Sequence, residues 1–438
     1  MNNEKEKRHN KGKEQRIKKT KNKSYRKIIN ETMIFMTTRK GSHSNRTTRS
    51  NSDCVVVKGG RENNRNKRRR TTASKSTVDE ESNSTIDATV VGAQNPYIEK
   101  ESNELPTPLE LSKELCKIVD TDRYSRQESL CALENLNNWT LTEDPDFFKW
   151  FDIHAGAVKV LDFLTETMKD PECVGVIRFK CIENAAYVIT GFCYQGEKGV
   201  NKDITTKIAT TLVNYDGINT LIKASEEYTG EDVRQLEAVH SVWLALRNIA
   251  AKKDVMVDVI NTDQAIALFD AGIDVISQLK SVDGSTAAKI LLQVFSVLKY
   301  IILDNYISKK YFQDEKIFSK CLEVFKNGET RTCGYEILLE YATRFFRSCH
   351  QKDLLDQSSD YEMLLPLLVI CLKTFSSNHR IQRISITLLC GACDMVNGRK
   401  IVERSGVMEP LAALLASSNI RETVKNRVRA TIHYISAP

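Results

Sequence analysis

The sequence predicts an all-α fold: a right-handed α-solenoid of about six to seven repeated helical units, preceded by a disordered basic tail. Three observations carry this prediction. Gly (19 residues) and Pro (8 residues) are scarce in a chain of 438 residues, which favours long helices over a turn-rich β fold. From residue 107 onward, apolar residues recur with the helical period in runs of roughly 10 to 18 residues. Helices of similar sequence then return at intervals of 43 to 57 residues.

The N-terminal segment differs in charge from the rest of the chain. Residues 1–70 hold 23 of the 64 Lys and Arg but 6 of the 57 Asp and Glu, a net charge of +17, and the remainder therefore carries −10. Such a basic segment with few aromatic residues cannot bury enough apolar surface to offset its ordering entropy. We therefore predict a disordered tail over residues 1–95 and an ordered solenoid over residues 96–438.

A dense basic run lies inside this tail. It consists of Lys67, Arg68, Arg69 and Arg70. Short Lys/Arg clusters are recognised by acidic grooves of import receptors or contact nucleic-acid phosphates. The run is interpreted as a nuclear localisation signal, and nucleic acid contact is expected only through the tail. The alternative is a solvated tail that no specific partner binds. The expected location is the nucleus, the cytoplasm or both.

Nothing in the sequence predicts export or membrane insertion. The start, "MNNEKEKRHNKGK", has no apolar stretch behind its charges, so no secretory signal is expected. No run of 18 or more apolar residues occurs, so we predict no membrane contact. The twelve cysteines are scattered through helical patterns, which is typical of reduced core residues.

Two capping signals mark the beginning of order. In "LPTPLELSKEL", Thr107 is a predicted N-cap, with Pro108 at the first helical position and Glu110 at the third. In "SRQESLCALENL", Ser125 and Glu128 repeat the same capping box. Each predicts a helix that begins at the following residue.

The repeated unit is recognised from its last helix, which has similar sequences along the chain. "ALRNIA" at 245–250 resembles "ALENLN" at 132–137, and weaker copies follow toward the C-terminus. Aligned on the asparagine, these helices give a series of seven positions, which we call the ladder positions: Asn135, Gly191, Asn248, Tyr300, Arg344, Gly391 and Tyr434. Small-residue turns with glycine precede other amphipathic stretches, and we expect each glycine to end one helix in a left-handed cap. These are Gly156, Gly217, Gly272 and Gly406.

This pattern resembles the armadillo repeat: a small-residue turn, an amphipathic helix, a polar loop and a longer helix ending in "A-L-x-N-L". The resemblance covers roughly residues 107–436, and HEAT-type repeats are the near alternative. It implies stacked units that share a continuous core and form a superhelix with a concave groove. The earlier copies need roughly ten extra residues each, which the resemblance assigns to loops.

The resemblance also implies a role for the ladder positions. In armadillo proteins the helix ending in "A-L-x-N-L" lines the groove, where an asparagine amide can hydrogen-bond the backbone of an extended peptide. The predicted partner-binding residues are Asn135, Asn248, Tyr300, Arg344 and Tyr434. For Asn248 the alternative is a structural role, satisfying backbone groups near a helix end. Charges expected to be exposed on the same helices mix their signs: Glu134, Arg247, Lys299, Glu340 and Arg344.

The sequence can be compared residue by residue with one armadillo subclass. Importin-α-like proteins carry a tryptophan one turn before each ladder asparagine. Here these positions hold Cys131, Tyr187, Leu244, Ser296, Glu340, Thr387 and Ala430. Trp243 is displaced by one residue, which rotates it by about 100° around the helix axis. An importin-α-like cargo receptor is therefore disfavoured.

The sequence lacks the usual signs of catalysis. No Walker A, dinucleotide-binding, zinc-protease or nucleophile-elbow motif occurs. The pair Cys390 and Cys393 in "CGAC" has no second pair to complete a zinc site and no strand before it. We predict no enzyme activity, no cofactor and no metal.

The predicted function is that of a monomeric, non-enzymatic scaffold or adaptor. It would bind a protein partner, as an extended peptide or a helix, in the groove. The alternatives are an importin-α-like import adaptor and an armadillo-type chaperone co-factor. The net charge of −10 on the body favours a basic peptide, or the chain's own tail, over nucleic acid.

Overall fold

The fold is described from a computed structural model. It covers residues 106–436 except 121–122, 143, 195–200, 228–232, 281, 283, 326–334 and 356. All described residues belong to one compact unit, Lys100–Pro438. The predicted tail and its basic run Lys67–Arg70 lie outside the described residues, so the disorder, the boundary at residue 95 and the localisation signal stay predictions.

The described residues form 19 helices and no strand, which confirms the all-α prediction. In chain order the helices are α1 Pro108–Val119, α2 Arg126–Thr140, α3 Pro145–Ile153, α4 Gly156–Lys169, α5 Gly175–Cys193, α6 Lys202–Asn214, α7 Gly217–Glu226, α8 Val233–Ala250, α9 Lys253–Asp258, α10 Thr262–Leu279, α11 Ser285–Leu303, α12 Lys309–Asp314, α13 Ile317–Glu323, α14 Tyr335–Gln351, α15 Ser358–Thr374, α16 His379–Asp394, α17 Gly398–Arg404, α18 Met408–Ala416 and α19 Glu422–Ser436.

Most of these helices pack into two rows that follow chain order. The first, which we call the ladder row, consists of α2, α5, α8, α11, α14, α16 and α19, each packed against the next. The second row consists of α1, α4, α7, α10, α13, α15 and α18, again packed in sequence. Two parallel rows of seven helices make seven stacked units, so the predicted solenoid is confirmed. Each ladder position falls on a different helix of the ladder row.

The units differ in their number of helices. Five of them begin with an additional helix: α3, α6, α9, α12 and α17. Within the described residues, the first and sixth units have two helices, as HEAT-type repeats do. Part of the extra length in the early copies forms helix, because α6 has 13 residues where α9 has 6.

Both predicted capping boxes are present. The Glu110 backbone N–H donates to Thr107 Oγ1 at 3.3 Å, and the Thr107 N–H donates to Glu110 Oε2 at 2.7 Å. At the next helix, the Glu128 N–H donates to Ser125 Oγ at 3.3 Å and the Ser125 N–H to Glu128 Oε2 at 2.8 Å. Four N–H groups that the first turns leave without helical acceptors are thus satisfied locally.

The corners between helices differ from the glycine prediction. At two corners the residue before the glycine is left-handed: Ala155 (φ 52°) and Asp216 (φ 60°). Gly156 and Gly217 instead begin the next helix, where an added Cβ would lie 2.4 Å from the Phe151 ring and 2.6 Å from the Leu212 carbonyl oxygen. Close approach of the preceding helix is thus the reason for these glycines.

The prediction is confirmed for one of the other two turn glycines and wrong for the second. Gly406 is left-handed as predicted, with φ 78°. Gly272 lies inside α10, so the predicted turn there is wrong. The helix begins at the capping box of Asn261 and Gln264 and runs through Gly272, where the absence of a side chain lets Leu298 of α11 approach closely.

The core follows the ladder row from end to end. Its largest fully buried side chain is Trp243 in α8. Of the described helices, α11 alone is long and apolar enough to cross a membrane, but most of that stretch is buried inside the chain, where α8 and α14 pack against it. Its hydropathy is therefore that of a core helix.

Candidate functional site

The amide of Asn248 bonds to the solenoid itself. Its Nδ2 donates to the Thr190 carbonyl oxygen at 3.1 Å, and the side chain is 9% exposed. Thr190 lies in the last turn of α5, where carbonyls have no donor within the helix. The bond therefore joins α8 to the end of the preceding ladder helix. This is the structural role weighed above, and partner contact at Asn248 stays a prediction.

Replacing Asn248 by alanine is expected to lower the free energy of unfolding by about 1–2 kcal/mol, because the Thr190 carbonyl loses its buried donor. Urea denaturation followed by circular dichroism measures this. Asn135→Ala is the matched control, since that side chain is exposed and its contact to Glu114 is 3.4 Å long. Equal costs for the two variants would contradict a buried, helix-joining role for Asn248.

Other ladder positions also lie where one ladder helix meets the next. A Cβ on Gly191 would lie 2.2 Å from Thr140 Oγ1 at the end of α2, and one on Gly391 would lie 2.5 Å from the His350 ring at the end of α14. Tyr434 Oη donates to Asp394 at the end of α16. Four of the seven ladder positions, including Asn248, therefore lie at a seam with the preceding ladder helix, and those with glycine allow the closest approach.

The five predicted partner-binding residues do not form one site. Tyr300 and Arg344 come together in the middle of the row, as described below. Asn135, Asn248 and Tyr434 lie on three other ladder helices: Asn135 is exposed beside Glu114 of α1, Asn248 is buried at its seam, and Tyr434 is half-buried at its seam.

An acidic cluster lies on the first three ladder helices. It consists of Glu134 in α2, Glu183 in α5 and Glu237 in α8, with Tyr187 beside them. Burial and the neighbouring Glu237 charge raise the pKa of Glu183 to about 7, and Lys180 offsets this only in part. Burial also raises the pKa of Tyr187. This face therefore carries carboxylates that the described residues do not neutralise.

The raised pKa makes stability depend on pH. The unfolded chain ionises Glu183 near its ordinary pKa of 4.5, whereas the folded chain holds the proton until about 7. Folding is thus progressively disfavoured as pH rises from 4.5 to 7. We expect Glu183→Gln to raise the free energy of unfolding by about 2 kcal/mol at pH 8, after allowance for solvent screening, and to have no effect at pH 4.

Urea denaturation at the two pH values tests this. Glu166→Gln, an exposed glutamate of the second row, is the control and should change neither value by more than about 0.5 kcal/mol. A gain that is the same at pH 4 and pH 8 would contradict the linkage.

A cationic cluster occupies the middle of the row. Arg247 of α8, Lys299 of α11 and Arg344 of α14 converge on two tyrosines, Tyr300 and Tyr341. The Arg247 and Arg344 guanidinium carbons lie 5.8 Å and 5.0 Å from the Tyr341 ring centre, and Lys299 Nζ lies 4.3 Å from that of Tyr300. Burial, together with Arg344 and Arg247, lowers the pKa of Lys299 to about 8.

The two arginines of this cluster differ in the groups that accept their hydrogen bonds. Arg344 pairs with Glu340, which also lies 3.4 Å from Arg380 Nη1 and 3.3 Å from Asn378 Nδ2. Arg247 was expected to be exposed, yet it is 4% exposed and donates through Nη1 to Gln293 Oε1 at 3.0 Å. Its partner stands 46 residues away in sequence, which is why helical periodicity alone misplaced it.

Sequence reasoning missed Glu183, Glu237, Gln293 and Tyr341. A usable signal existed for two of them. Glu183 lies eight residues before Gly191 and Glu237 eleven before Asn248, which leaves them about 80° and about 20° around the helix from the ladder position, on the same side of the helix. For Gln293 and Tyr341 no such signal exists, because they belong to the cluster through packing between helices.

The remaining candidates for chemistry are packed as core. Cys393 is buried and Cys390 half-buried, with its Sγ 3.5 Å from Thr431 Oγ1. Burial raises the pKa of Cys393 to about 11 and also that of Cys390, so both thiols stay protonated near neutrality. Trp243 is fully buried and forms no surface slot. In the part of the chain described, no three His, Cys, Asp or Glu residues are grouped to hold a metal ion.

Comparison with known proteins finds only distant likeness. No known family and no curated protein matches the chain. It is similar to an engineered protein at 16% identity, covering 64% of this chain and 99% of that one with a TM-score of 0.45. It is also similar to a designed armadillo repeat protein in complex with the peptide (KR)4, at 13% identity over 75% of this chain and 100% of that one with a TM-score of 0.36. The armadillo-like fold of the chain rests on its own seven stacked units.

Proposed function

We propose that this chain is a non-enzymatic interaction scaffold that holds a peptide segment of a protein partner along the exposed face of the ladder row. One observation carries the proposal. Two clusters of opposite net sign follow each other along this row: the acidic cluster on α2, α5 and α8, beside which Lys180 lies, and the cationic cluster on α8, α11 and α14, in which Glu340 pairs with Arg344. The proposal keeps the chain a monomer that uses no cofactor and does not contact a membrane.

The charges are held in positions that disfavour them. Glu183 and Lys299 both have pKa values shifted toward their neutral forms, because burial and charges of the same sign surround them. Folding alone would be better served by neutral side chains at these positions. Opposite charges on a bound segment would relieve both penalties, and groups with pKa values shifted in this way cluster at functional sites.

The separation of the clusters suits an extended peptide. Neighbouring packed helices are about 8–10 Å apart, and Lys299 lies farther along its helix than Glu183 does. The two clusters are therefore about 20–25 Å apart, a distance that an extended chain covers in roughly six to eight residues. A fitting segment has basic residues at one end and an acidic residue at the other.

The location of the protein remains a proposal based on charge. The basic run Lys67–Arg70 would act as a localisation signal, with the scaffold working in the nucleus, the cytoplasm or both. In support, the net +17 of residues 1–70 contrasts with the −10 of the remainder.

The experiment is a selection of peptide ligands from a random 16-residue display library on the full chain. Selected peptides are then titrated by fluorescence anisotropy against three proteins: the wild type, a face variant and a control variant. The face variant carries Glu134→Gln, Glu183→Gln, Glu237→Gln and Lys299→Met. The control variant carries the same kinds of change on the second row: Glu166→Gln, Glu226→Gln, Glu409→Gln and Lys223→Met.

The proposal predicts at least about tenfold weaker binding to the face variant and less than twofold change for the control, as expected when several desolvated charge pairs are lost. Peptides that bind the three proteins equally would reject it. A selection that enriches no peptide would reject it as well.

A further inference from the structure

The cationic cluster contains fewer carboxylate acceptors than cations. Arg344 has the Glu340 carboxylate, which Arg380 shares. In contrast, neither Arg247 nor Lys299 has a carboxylate within ion-pair distance among the residues that the structure describes. The acceptor of Arg247 is the neutral amide oxygen of Gln293, at 3.0 Å.

Gln293 adds a second, independent sign of a missing ligand. Its side chain is 1% exposed, and within the described residues its Nε2 has no hydrogen-bond acceptor. Because Oε1 of the same amide accepts from Arg247, Nε2 lies beside that guanidinium. A buried amide donor left without an acceptor is costly and calls for a partner group.

We propose that the place where α8 and α14 both pack against α11, which we call the oxyanion cleft for the groups that converge there, binds an oxyanion on a side chain of the partner peptide through Arg247, Lys299 and Gln293. This inference rests on the proposed function and names the chemistry of one residue of the bound peptide. A phosphate monoester is the best match, since its charge of about −1.5 to −2 balances two cations and its three terminal oxygens face three donor groups. A carboxylate offers the same chemistry with one charge less.

A peptide fits this cleft better than nucleic acid does. The acidic cluster begins on α8, the helix that also supplies Arg247, so carboxylates flank the cations along the row. A nucleic acid strand presents a phosphate at every nucleotide and would bring several of them against Glu183 and Glu237. A peptide can present one oxyanion to the cleft and basic residues to the acidic cluster.

The test uses three labelled synthetic peptides that differ at one residue. Each has three lysines, a spacer of seven Ala, Gly and Ser residues, and then phosphoserine, glutamate or serine. On the wild-type full chain we expect the phosphoserine peptide to bind at least about tenfold tighter than the serine peptide, with glutamate between them. Lys299→Met should reduce this preference to less than about threefold. Lys289→Met, an exposed lysine on the same helix, should leave it unchanged.

The outcomes separate the two proposals. If all three peptides bind equally and the face variant weakens them, the oxyanion cleft is rejected and the scaffold stands. If no peptide binds, both fail. A preference that persists in Lys299→Met would place the oxyanion elsewhere and reject the cleft. Thermal unfolding of Lys299→Met provides the folding check, and burial of Lys299 without a counter-ion predicts that this variant folds at least as stably as the wild type.

A proton readout distinguishes ligation from mere packing. The charged groups that act on Lys299 are Arg247 from α8 and Arg344 from α14, and its Nζ lies over the Tyr300 ring of its own helix. Glu340 and Tyr341 of α14 contact Arg344. With its pKa lowered to about 8, free Lys299 is mostly neutral at pH 9, and a bound oxyanion would recharge it. Calorimetry at pH 9 in two buffers should show proton uptake with the phosphoserine peptide. Uptake that is unchanged in Lys299→Met would count against the cleft.

Discussion

Replacing Trp243 by alanine is expected to lower the free energy of unfolding by about 3–5 kcal/mol, the largest single effect we predict. The side chain is 0% exposed and lies in α8, which packs against α5 on one side and α11 on the other. Truncation therefore opens a cavity at the centre of the ladder row. The measurement is urea denaturation of the full chain followed by circular dichroism at 222 nm.

Replacing Trp243 by phenylalanine instead of alanine should retain most of the free energy of unfolding that the alanine variant loses. The indole Nε1 of Trp243 is buried, and no acceptor for it exists in the described part of the chain. Trp243→Phe removes that orphan donor while keeping an aromatic ring, so we expect a cost of less than about 2 kcal/mol. Trp139→Ala is the surface control, since this ring is half-buried and contacts Phe147 edge-on at 5.9 Å. A Phe variant as unstable as the Ala variant would contradict this account.

The second large effect is expected at the seam between α14 and α16. In Gly391→Ala the new Cβ would lie 2.5 Å from His350 Cε1, so the ring must move. His350 Nδ1 is 2.7 Å from Tyr361 Oη, and burial lowers the pKa of this histidine, which keeps it neutral. Moving the ring breaks that bond as well as the packing. We expect a cost of about 2–3 kcal/mol, typical of forced overpacking.

A double-mutant cycle checks the cause. His350→Ala removes the ring that the new methyl group would meet, so Gly391→Ala should cost about 1 kcal/mol or less in that background. The same urea titrations measure all four proteins. Additive costs would show that the His350 ring is not the obstacle, and the explanation by close approach would then fail.

The features predicted from sequence are those that local rules specify. The capping boxes at Thr107 and Ser125 involve residues three apart, so they can be identified without knowledge of the fold. The ladder series was located correctly because helical period and repeat spacing both depend on order along the chain. One ladder position falls on each ladder helix for that reason.

The environment of single side chains could not be predicted in the same way. Arg247 lies among charges that periodicity assigns to an exposed face, but the neighbouring helix covers it. Asn248 bonds to a carbonyl 58 residues away. Gly272 looks like a turn because its neighbours resemble other corners, whereas it lies inside a helix and makes room for Leu298 of the neighbouring helix. In each case the deciding contact comes from a distant part of the chain.

The stacking of the helices in rows determines where the solenoid unfolds locally. Among the described helices, the substantial contacts lie within a unit or between adjacent units. The solenoid is thus a linear array whose end units have one neighbour and whose central units have two. Fraying at either end removes one interface at a time and need not spread to the middle. The cleft between α8, α11 and α14 lies in the middle, so the terminal units can melt and re-form while the oxyanion cleft stays assembled.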